Sequence, residues 1–363
     1  MTKQNQYFPS IVFHPGETLA EKLEEMEMGP KEFALRTGKP EKTIIAVLKG
    51  ESSITPDMAV QFENVTKIPA RFWMNHQRSY DEYLAREKRK AAIDAAVPWA
   101  KKFPIADMIK KGWLPPVRTI QEKTMELLTF FAFSHHTGWE DYYFKQQLKV
   151  AFRISLAQTK EPYAISAWLR KGRLQAAELE ANDYSEKKFK EALLEIKSIM
   201  ARHPDGFFKQ LQNICLEAGV KVVHTPCINK APINGSTHWQ NDTPVIQLTG
   251  RYNRNDSFWF TFFHEAGHIL LHGKKDVFLE NLDYSDKDMQ KEEEADAFAI
   301  KWTLTEKEEA EIVADTPLNE TMIKDFARQF NTHPAIIIGR LQHKRLIPYT
   351  VGRKFITPVE FDK

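Results

Sequence analysis

The segment His264-Glu265-Ala266-Gly267-His268 carries two histidines four residues apart, with a glutamate directly after the first. On an α-helix this spacing puts both imidazoles on one face, about one turn apart. Two neutral imidazoles placed in this way can bind one zinc ion, which prefers nitrogen ligands at short distances. Glu265 lies off the ligand face, where its carboxylate can take a proton from water and pass it to a leaving amine. The alternative is a pair of ordinary core histidines on a buried helix.

A zinc peptidase site needs a third protein ligand and one open position. The run 292–299 (EEEADAFA) begins with three carboxylates, and helix geometry ranks them. Relative to the apolar face of this run, Glu292 lies about 70° from the centre, Glu294 about 90°, and Glu293 nearly opposite. Asp296, one turn after Glu292, can accept a hydrogen bond from the second nitrogen of a ligand histidine. Glu292 is therefore the predicted ligand and Glu294 the second choice; an exposed acidic helix start is the other interpretation.

Three further residues carry groups that could take part in this chemistry. His272 continues the histidine row but lies two turns, about 12 Å, from His264, so one ion cannot bind both; we interpret it as a cation at a helix C-terminus. His238 is interpreted as an ordinary exposed strand histidine, the alternative being a stabiliser of an oxyanion. Cys227 is interpreted as a small buried apolar residue, the alternative being an inhibitory fourth ligand that regulates the peptidase.

The elements that must position these residues belong to an α+β, mostly helical fold in three parts. We predict a five-helix helix-turn-helix domain over 1–84, a helical connector over 85–204 and a zincin-like domain over 205–363. The last part contains a small sheet and the HExxH helix. No internal repeat is present.

Within the third part, residues 237–249 predict a hairpin around Asn241-Asp242. An extended substrate could add beside its outer strand near His238. The histidine helix is predicted over 258–271, capped by Asp256 or Ser257 and ended by Gly273. An acidic loop over 274–288 precedes the carboxylate helix.

In the N-terminal part, short helices with a turn between the second and third are typical of a helix-turn-helix. The third helix would place Lys39, Lys42 and Thr43 in the major groove of DNA, while Lys31 and Lys49 would suit phosphates. Residues 1–84 contain 10 lysines and arginines against 12 acidic residues, a net charge of −2. A reader of DNA usually has a basic face, so a module that docks a protein is the alternative.

Composition sets broader bounds. The chain of 363 residues has a net charge of +2 and 42% hydrophobic residues, which is ordinary for a globular protein. Its two cysteines are too few for a disulfide framework, which favours a reducing, cytoplasmic setting. No signal peptide and no apolar run long enough to span a bilayer is recognised, so no membrane partner is expected.

The run FWFTFFHEAGHILLH followed by EEEADAFA resembles the ImmA/IrrE metallopeptidases. The blocks GVKVVHTPCI, NGSTHW, PVIQLTGRY and IIIGRLQ are similar to one branch of that family. In this branch the peptidase is fused to an N-terminal XRE-type helix-turn-helix that resembles HigA antitoxins, as does HPGETLAEKLEEMEMGPKEFALRTG here. The middle blocks FPIADMIKKGWLP and AISAWLRKGRLQAAE also look like this branch.

The resemblance implies a zinc site of two histidines and a glutamate, with the glutamate of HExxH as the base. The family's Glu-x-x-x-Asn/Asp pattern falls on Glu292 and Asp296. It further implies cleavage of a partner protein such as a repressor, binding of operator DNA as a homodimer, and neutralisation of a toxin encoded nearby. One departure concerns Ile44-Ile45-Ala46, which is more apolar than usual for a recognition helix.

Two functions are compatible with these observations. The leading one is a cytoplasmic DNA-binding regulator, antitoxin-like, with a zinc-dependent endopeptidase domain that cleaves a regulatory protein. The alternative is a non-enzymatic HigA-type antitoxin and autorepressor whose zinc domain is a sensor or scaffold.

Overall fold

The computed structural model describes residues 12–146, 161–231, 233–273, 278–279 and 286–361. Over these residues the fold is mostly helical with one small sheet, which confirms the predicted fold class. The chain divides into two compact units, Met1–Ala95 and Ala96–Lys363. The three-part division predicted at 84 and 204 stays a prediction.

The first unit is built from short helices and one long helix that continues past its boundary. These are α1 (Pro15–Glu25), α2 (Pro30–Thr37), α3 (Glu41–Leu48), α4 (Pro56–Thr66) and α5 (Ala70–Ala100). Gly38 ends α2 with a φ of +66°, which glycine adopts without strain, and so allows the short turn to α3. Thr55 caps α4 by accepting a hydrogen bond from the backbone N–H of Met58. The predicted helix-turn-helix layout is confirmed.

A single core holds this unit together. Helix α2 packs against both α3 and α4, and the core side chains are almost fully buried: Leu19, Phe33, Ile44, Val47, Phe62 and Trp73. Ile44 therefore belongs to the core, which explains one apolar residue of the third helix, whereas Ile45 and Ala46 are partly exposed.

The second unit contains the remaining helices. They are α6 (Ile105–Lys110), α7 (Ile120–Phe131), α8 (His136–Glu140), which runs into a π-helical segment (Asp141–Gln146), α9 (Pro162–Ala177), α10 (Glu186–Arg202), α11 (Phe207–Glu217), α12 (Asn255–His272), α13 (Asp286–Thr303), α14 (Glu306–Ala314), α15 (Glu320–Gln329), α16 (Pro334–His343) and a 3-10 turn (Arg353–Phe355). Capping boxes begin α7 at Thr119 and α14 at Thr305.

The sheet consists of β1 (Lys221–His224), β2 (Gly235–Gln240), β3 (Thr243–Leu248) and β4 (Phe278–Leu279) in the order β1-β3-β2-β4. β2 and β3 are antiparallel, with Gln240 opposite Thr243, so the predicted hairpin is confirmed. β1 runs parallel to β3, and β4 pairs with β2 at Ser236 and Thr237. The predicted addition of a substrate strand near His238 and Trp239, beyond these two residues, stays a prediction.

Helices cover both faces of the sheet. On one face α9 packs through polar contacts: the Gln247 side-chain amide donates to the carbonyl of Trp168, and that of Gln240 donates to the carbonyl of Arg173. On the other face lies α12, whose phenylalanines join the main core of the unit, which also includes α10, α11 and α16. The sheet therefore packs directly against α12.

Helix α12 ends at Gly273, as predicted, but begins earlier than predicted. Its N-cap is Arg254, which has no capping hydrogen bond from its side chain. Asp256 lies within the first turn and accepts two hydrogen bonds from the Arg254 guanidinium, at 3.0 and 2.7 Å. The predicted cap at Asp256 or Ser257 is therefore wrong.

Residues 274–277 and 280–285, most of the predicted acidic loop, lie outside the described residues. Among those that are described, no helix is both long and apolar enough to cross a bilayer.

Candidate metal centre

Helix α12 places the HExxH residues in the interior of the second unit. His264, Glu265 and His268 are each at most 2% exposed. A Cβ added at Gly267 would lie 3.1 Å from the Cβ of Phe298 and 3.3 Å from the Cα of Ala295 on α13. The missing side chain at Gly267 therefore lets α12 and α13 pack closely enough for their polar side chains to meet.

Three potential ligand side chains converge between these two helices. His264 Nε2 lies 3.0 Å from His268 Nε2 and 3.2 Å from Glu292 Oε2. His268 Nε2 lies 3.5 Å from Glu292 Oε1. Within the part of the chain that the structure describes, these residues form the group of side chains that could hold a metal ion. Of the three carboxylates that begin the acidic run, it is Glu292 that reaches both histidines.

The spacing of these atoms fits a zinc ion. Ligands at about 2.0–2.1 Å from a tetrahedral centre stand about 3.3 Å apart. The two histidine nitrogens are 3.0 Å apart, and each lies 3.2 or 3.5 Å from one of the two Glu292 oxygens. With one ligand atom per residue, all three atoms lie within 4.8 Å of one another. Two imidazole nitrogens and one carboxylate oxygen form a donor set that zinc accepts, and three protein ligands leave a fourth position. The residues present therefore fit the metal that the sequence predicts.

The electrostatic environment favours neutral imidazole at this site. Burial lowers the pKa of His268 well below its usual range, and electrostatic interactions with His264, His272 and Lys291 lower it further. A metal ion binds the unprotonated nitrogen of a neutral ring. His268 is therefore already in the form that a ligand must have.

Asp296 supports the first histidine, where the sequence places it. Its Oδ1 lies 2.8 Å from His264 Nδ1, on the side of the ring away from the three converging atoms. A carboxylate in this position fixes the orientation of the ring and directs the Nε2 lone pair toward a metal. Asp296 is itself half-exposed.

His272 lies in the last turn of α12, as predicted. Its Nδ1 lies 3.0 Å from His268 Nδ1, and its Nε2 lies 3.0 Å from Glu294 Oε2. The side chain is only 3% exposed, a burial that its place at the helix end did not predict. The sequence contained one sign of the contact between His268 and His272, because residues four positions apart on a helix share a face.

Glu265 contacts the sheet. Thr237 Oγ1 lies 2.7 Å from Glu265 Oε2 and 3.0 Å from the Glu265 carbonyl, so this hydroxyl donates to the glutamate. A Cβ at Gly235 would lie 2.6 Å from Glu265 Oε1. Both β2 residues went unnoticed in the sequence, because contacts between a strand and a helix leave no local pattern.

His238 lies on the opposite side of this strand. Side chains alternate along a strand, so His238 points away from Glu265 while Thr237 points toward it. The ring is fully buried, and no hydrogen-bond partner of either nitrogen is found among the described residues. The predicted exposed strand histidine is therefore wrong in its exposure, because α9 covers this face, and the position does not suit an oxyanion role.

Cys227 lies outside the group of metal-ligating side chains among the described residues. Its Sγ is 3.2 Å from the carbonyl oxygen of Ala231. Burial raises the pKa of this half-buried thiol, which disfavours the thiolate that a metal would bind.

The proposed DNA-contacting residues lie on or beside α2 and α3. The exposed ones are Lys31, Lys42 and Lys49, and Thr43 is partly buried. Lys39 forms an ion pair with Asp57 in the first turn of α4. The positive charge of Lys39 is therefore partly compensated within the unit.

Comparison with known proteins is consistent with this geometry. Residues 215–335, which include the three converging side chains, match the family model Peptidase_M78, described as the IrrE N-terminal-like domain. This segment is an IrrE N-terminal-like domain. It spans the sheet residues that contact Glu265, both helices that provide the converging atoms, and α14 and α15.

The chain also has a helix-turn-helix relative. It is 29% identical over 66 residues to the uncharacterized HTH-type transcriptional regulator YddM of Escherichia coli (strain K12), covering 18% of this chain and 70% of that protein. A helix-turn-helix region of regulator type therefore accompanies the IrrE N-terminal-like domain.

Two solved structures are similar to part of the chain. One is a proposed antidote protein of a plasmid maintenance system from Nostoc punctiforme, with 29% identity, a TM-score of 0.23, and coverage of 23% of this chain and 93% of that one. The other is an addiction module antidote protein of a HigA family from Coxiella burnetii, with 33% identity, a TM-score of 0.22, and coverage of 23% and 91%.

Proposed function

We propose that the IrrE N-terminal-like domain is a zinc-dependent endopeptidase. The observation that carries this proposal is the convergence of His264, His268 and Glu292 at separations typical of zinc ligands, beside a buried glutamate. When bound, zinc would polarise a carbonyl oxygen and lower the pKa of water. His264, His268 and Glu292 would hold it.

The chain's own residues would carry the proton transfers. Glu265 acts as the base that takes a proton from the attacking water and then delivers it to the leaving nitrogen of the peptide. Thr237, by donating to Glu265 Oε2, restricts the rotation of this carboxylate. Asp296 orients the His264 ring. The apolar residues around α12 exclude bulk water, which strengthens these interactions.

The substrate class that we propose is a regulatory protein such as a repressor. The test compares wild type with Glu265→Gln on the proteins encoded by neighbouring reading frames, together with measurement of bound zinc. We expect about 10²–10⁴-fold slower cleavage by Glu265→Gln with unchanged zinc content, since general-base catalysis contributes that much. Glu293→Gln, an exposed glutamate of the acidic run, is the control and should retain wild-type cleavage. A folded wild-type protein that binds no zinc contradicts the proposal.

For the first unit we propose binding of operator DNA through α3, as a homodimer and in a cytoplasmic setting. The support is the helix-turn-helix layout and the exposed lysines on and beside α2 and α3. A neighbouring toxin is a further proposed partner. Gel shifts on the upstream intergenic DNA across a salt series test this, because contacts to phosphates weaken as salt rises.

The charge of the predicted helix-turn-helix segment, residues 1–84, favours a second candidate function. With a net charge of −2 over 1–84 and Lys39 already paired with Asp57, the module could dock a protein instead of DNA. A related alternative is a non-enzymatic antitoxin whose zinc domain senses or scaffolds. If Glu265→Gln keeps every cellular phenotype while changes at Lys42 and Thr43 abolish repression, the non-enzymatic function is the correct one.

A further inference from the structure

The two candidate ligand histidines are supported in different ways. His264 reaches the Asp296 carboxylate directly, with 2.8 Å between Nδ1 and Oδ1. His268 reaches a carboxylate only through a second imidazole: its Nδ1 lies 3.0 Å from His272 Nδ1, and His272 Nε2 lies 3.0 Å from Glu294 Oε2. Both lines of hydrogen bonds end on α13, the helix that also provides Glu292.

Metal binding by His268 would determine the position of each proton in the hydrogen-bonded series His268, His272 and Glu294. A ligand nitrogen presents its lone pair, so the ring proton of His268 would lie on Nδ1. That N–H donates to His272 Nδ1, which is then the unprotonated nitrogen of its ring. His272 Nε2 carries the remaining proton and donates to Glu294. Every donor meets an acceptor, with both rings neutral and Glu294 ionised.

A positively charged His272 is incompatible with this arrangement. Both of its nitrogens would be donors, so His268 Nδ1 would have to accept and the proton of His268 would move to Nε2. That tautomer cannot bind a metal through Nε2. His272 Nε2 lies 3.0 Å from Glu294 Oε2, so the carboxylate is placed to accept this hydrogen bond.

We propose that His272 and Glu294 are a positioning pair that sets the tautomer and ring orientation of His268 for metal binding. The inference rests on the proposed zinc site and adds two residues to it. In this role His272 never contacts the metal, and Glu294 acts only through His272.

The test is zinc affinity, measured by competition with a chromogenic chelator and requiring no substrate. We expect His272→Leu to weaken zinc binding by about 10–100-fold, the usual effect of losing a partner of a ligand histidine. His272→Asn places an amide oxygen near the position of Nδ1 and should restore most of the affinity. Glu294→Ala should have a smaller effect, about tenfold or less, because Glu294 is half-exposed and water can replace it.

Glu293→Ala is the matched control, since it removes the same charge from the neighbouring exposed position of α13. Its affinity should stay within about twofold of wild type because exposed charges are screened. Wild-type affinity in folded His272→Leu overturns the inference alone, as does an equal loss in Glu293→Ala and Glu294→Ala. Wild-type protein that binds no zinc overturns the proposed site and this inference together. If circular dichroism shows His272→Leu unfolded, His272→Asn and Glu294→Ala decide between the same outcomes.

Discussion

The Thr237 hydroxyl is the contact through which the sheet restrains the candidate base. Its proton can be shared between the Glu265 carboxylate at 2.7 Å and the Glu265 carbonyl at 3.0 Å. The first contact holds the side chain and the second holds the helix turn. The backbone of Gly235 lies so close to Glu265 Oε1 that a side chain at this position would clash with it. β2 therefore borders the carboxylate at two residues, Gly235 and Thr237.

We predict that Thr237→Val lowers kcat for peptide cleavage by about 10–100-fold while KM changes little, since a misplaced base affects the chemical step more than binding. Thr237→Ser keeps the hydroxyl and should recover most of the activity. Zinc affinity should be unchanged in both variants, because neither alters the converging atoms. Equal activity of the valine and serine variants would show that the hydroxyl has no positioning role.

At the level of single residues, the sequence was sufficient to predict which side chains of one helix share a face. Glu292 was preferred over Glu294 because of its angle on one helical face, and it is the residue that meets His264 and His268. The contact of His272 with Glu294 was not predicted, because Glu294 is 22 residues away on another helix. The partners of a side chain across helices depend on packing, which periodicity alone does not contain.

Among the secondary-structure elements, α3 presents the residues on which DNA recognition would depend. Lys42 is exposed near its N-terminal end, whereas Lys39 is held by Asp57. The apolar Ile44 and Val47 face the core, so the polar contacts available from this helix are few. The strength of DNA binding should therefore depend strongly on Lys42.

We expect Lys42→Ala to raise the Kd for operator DNA by about tenfold and to reduce the salt dependence by about one phosphate contact. Lys67→Ala removes an equivalent charge at the end of α4 and should change the Kd far less. Gel shifts at several salt concentrations measure both quantities. Identical Kd values for wild type and Lys42→Ala would favour the protein-docking function.

Elements with strong local signals were predictable, and elements defined by their neighbours were not. The hairpin was predictable because a turn at Asn241, with a φ of +57°, lies between two β-prone runs. The parallel pairing of β1 with β3 and the addition of β4 join residues distant in sequence. The start of α12 at Asn255 was missed because its N-cap is an arginine rather than a typical capping residue.

At the scale of the whole molecule, several buried histidines link folding to pH. Burial lowers the pKa of His238 to about 3, with the charge of Arg173 adding to the effect. Burial also lowers the pKa values of His224 and His333 to about 4 each. All three rings are therefore neutral in the folded protein at pH values where an unfolded chain would protonate them.

We predict that the free energy of unfolding falls as the pH decreases from about 6.5 to 4.5. Below pH 6.5 the unfolded chain binds protons that the folded protein excludes, and each such histidine contributes a slope of at most about 1.4 kcal/mol per pH unit. Above pH 6.5 both states are neutral and this contribution vanishes. Urea unfolding at several pH values, with a chelator present, measures the slope.

The control for this prediction compares two substitutions. His238→Asn should flatten the dependence on pH even if it lowers stability overall, whereas His343→Asn, at an exposed position, should leave the slope unchanged. Parallel curves for the two variants would show that His238 does not contribute.

Helix α13 carries the three carboxylates of the centre. The direction in which each carboxylate points depends on its position in the helical turn. Glu292 faces the converging nitrogens, Glu294 reaches His272, and Asp296 reaches His264. Each added or removed residue rotates everything beyond it by about 100°. A single-residue deletion between Glu292 and Asp296 would therefore misdirect Asp296 even with all other side chains retained. In natural variants this stretch should tolerate exchanges of side chains at Glu293 far more readily than any change in length.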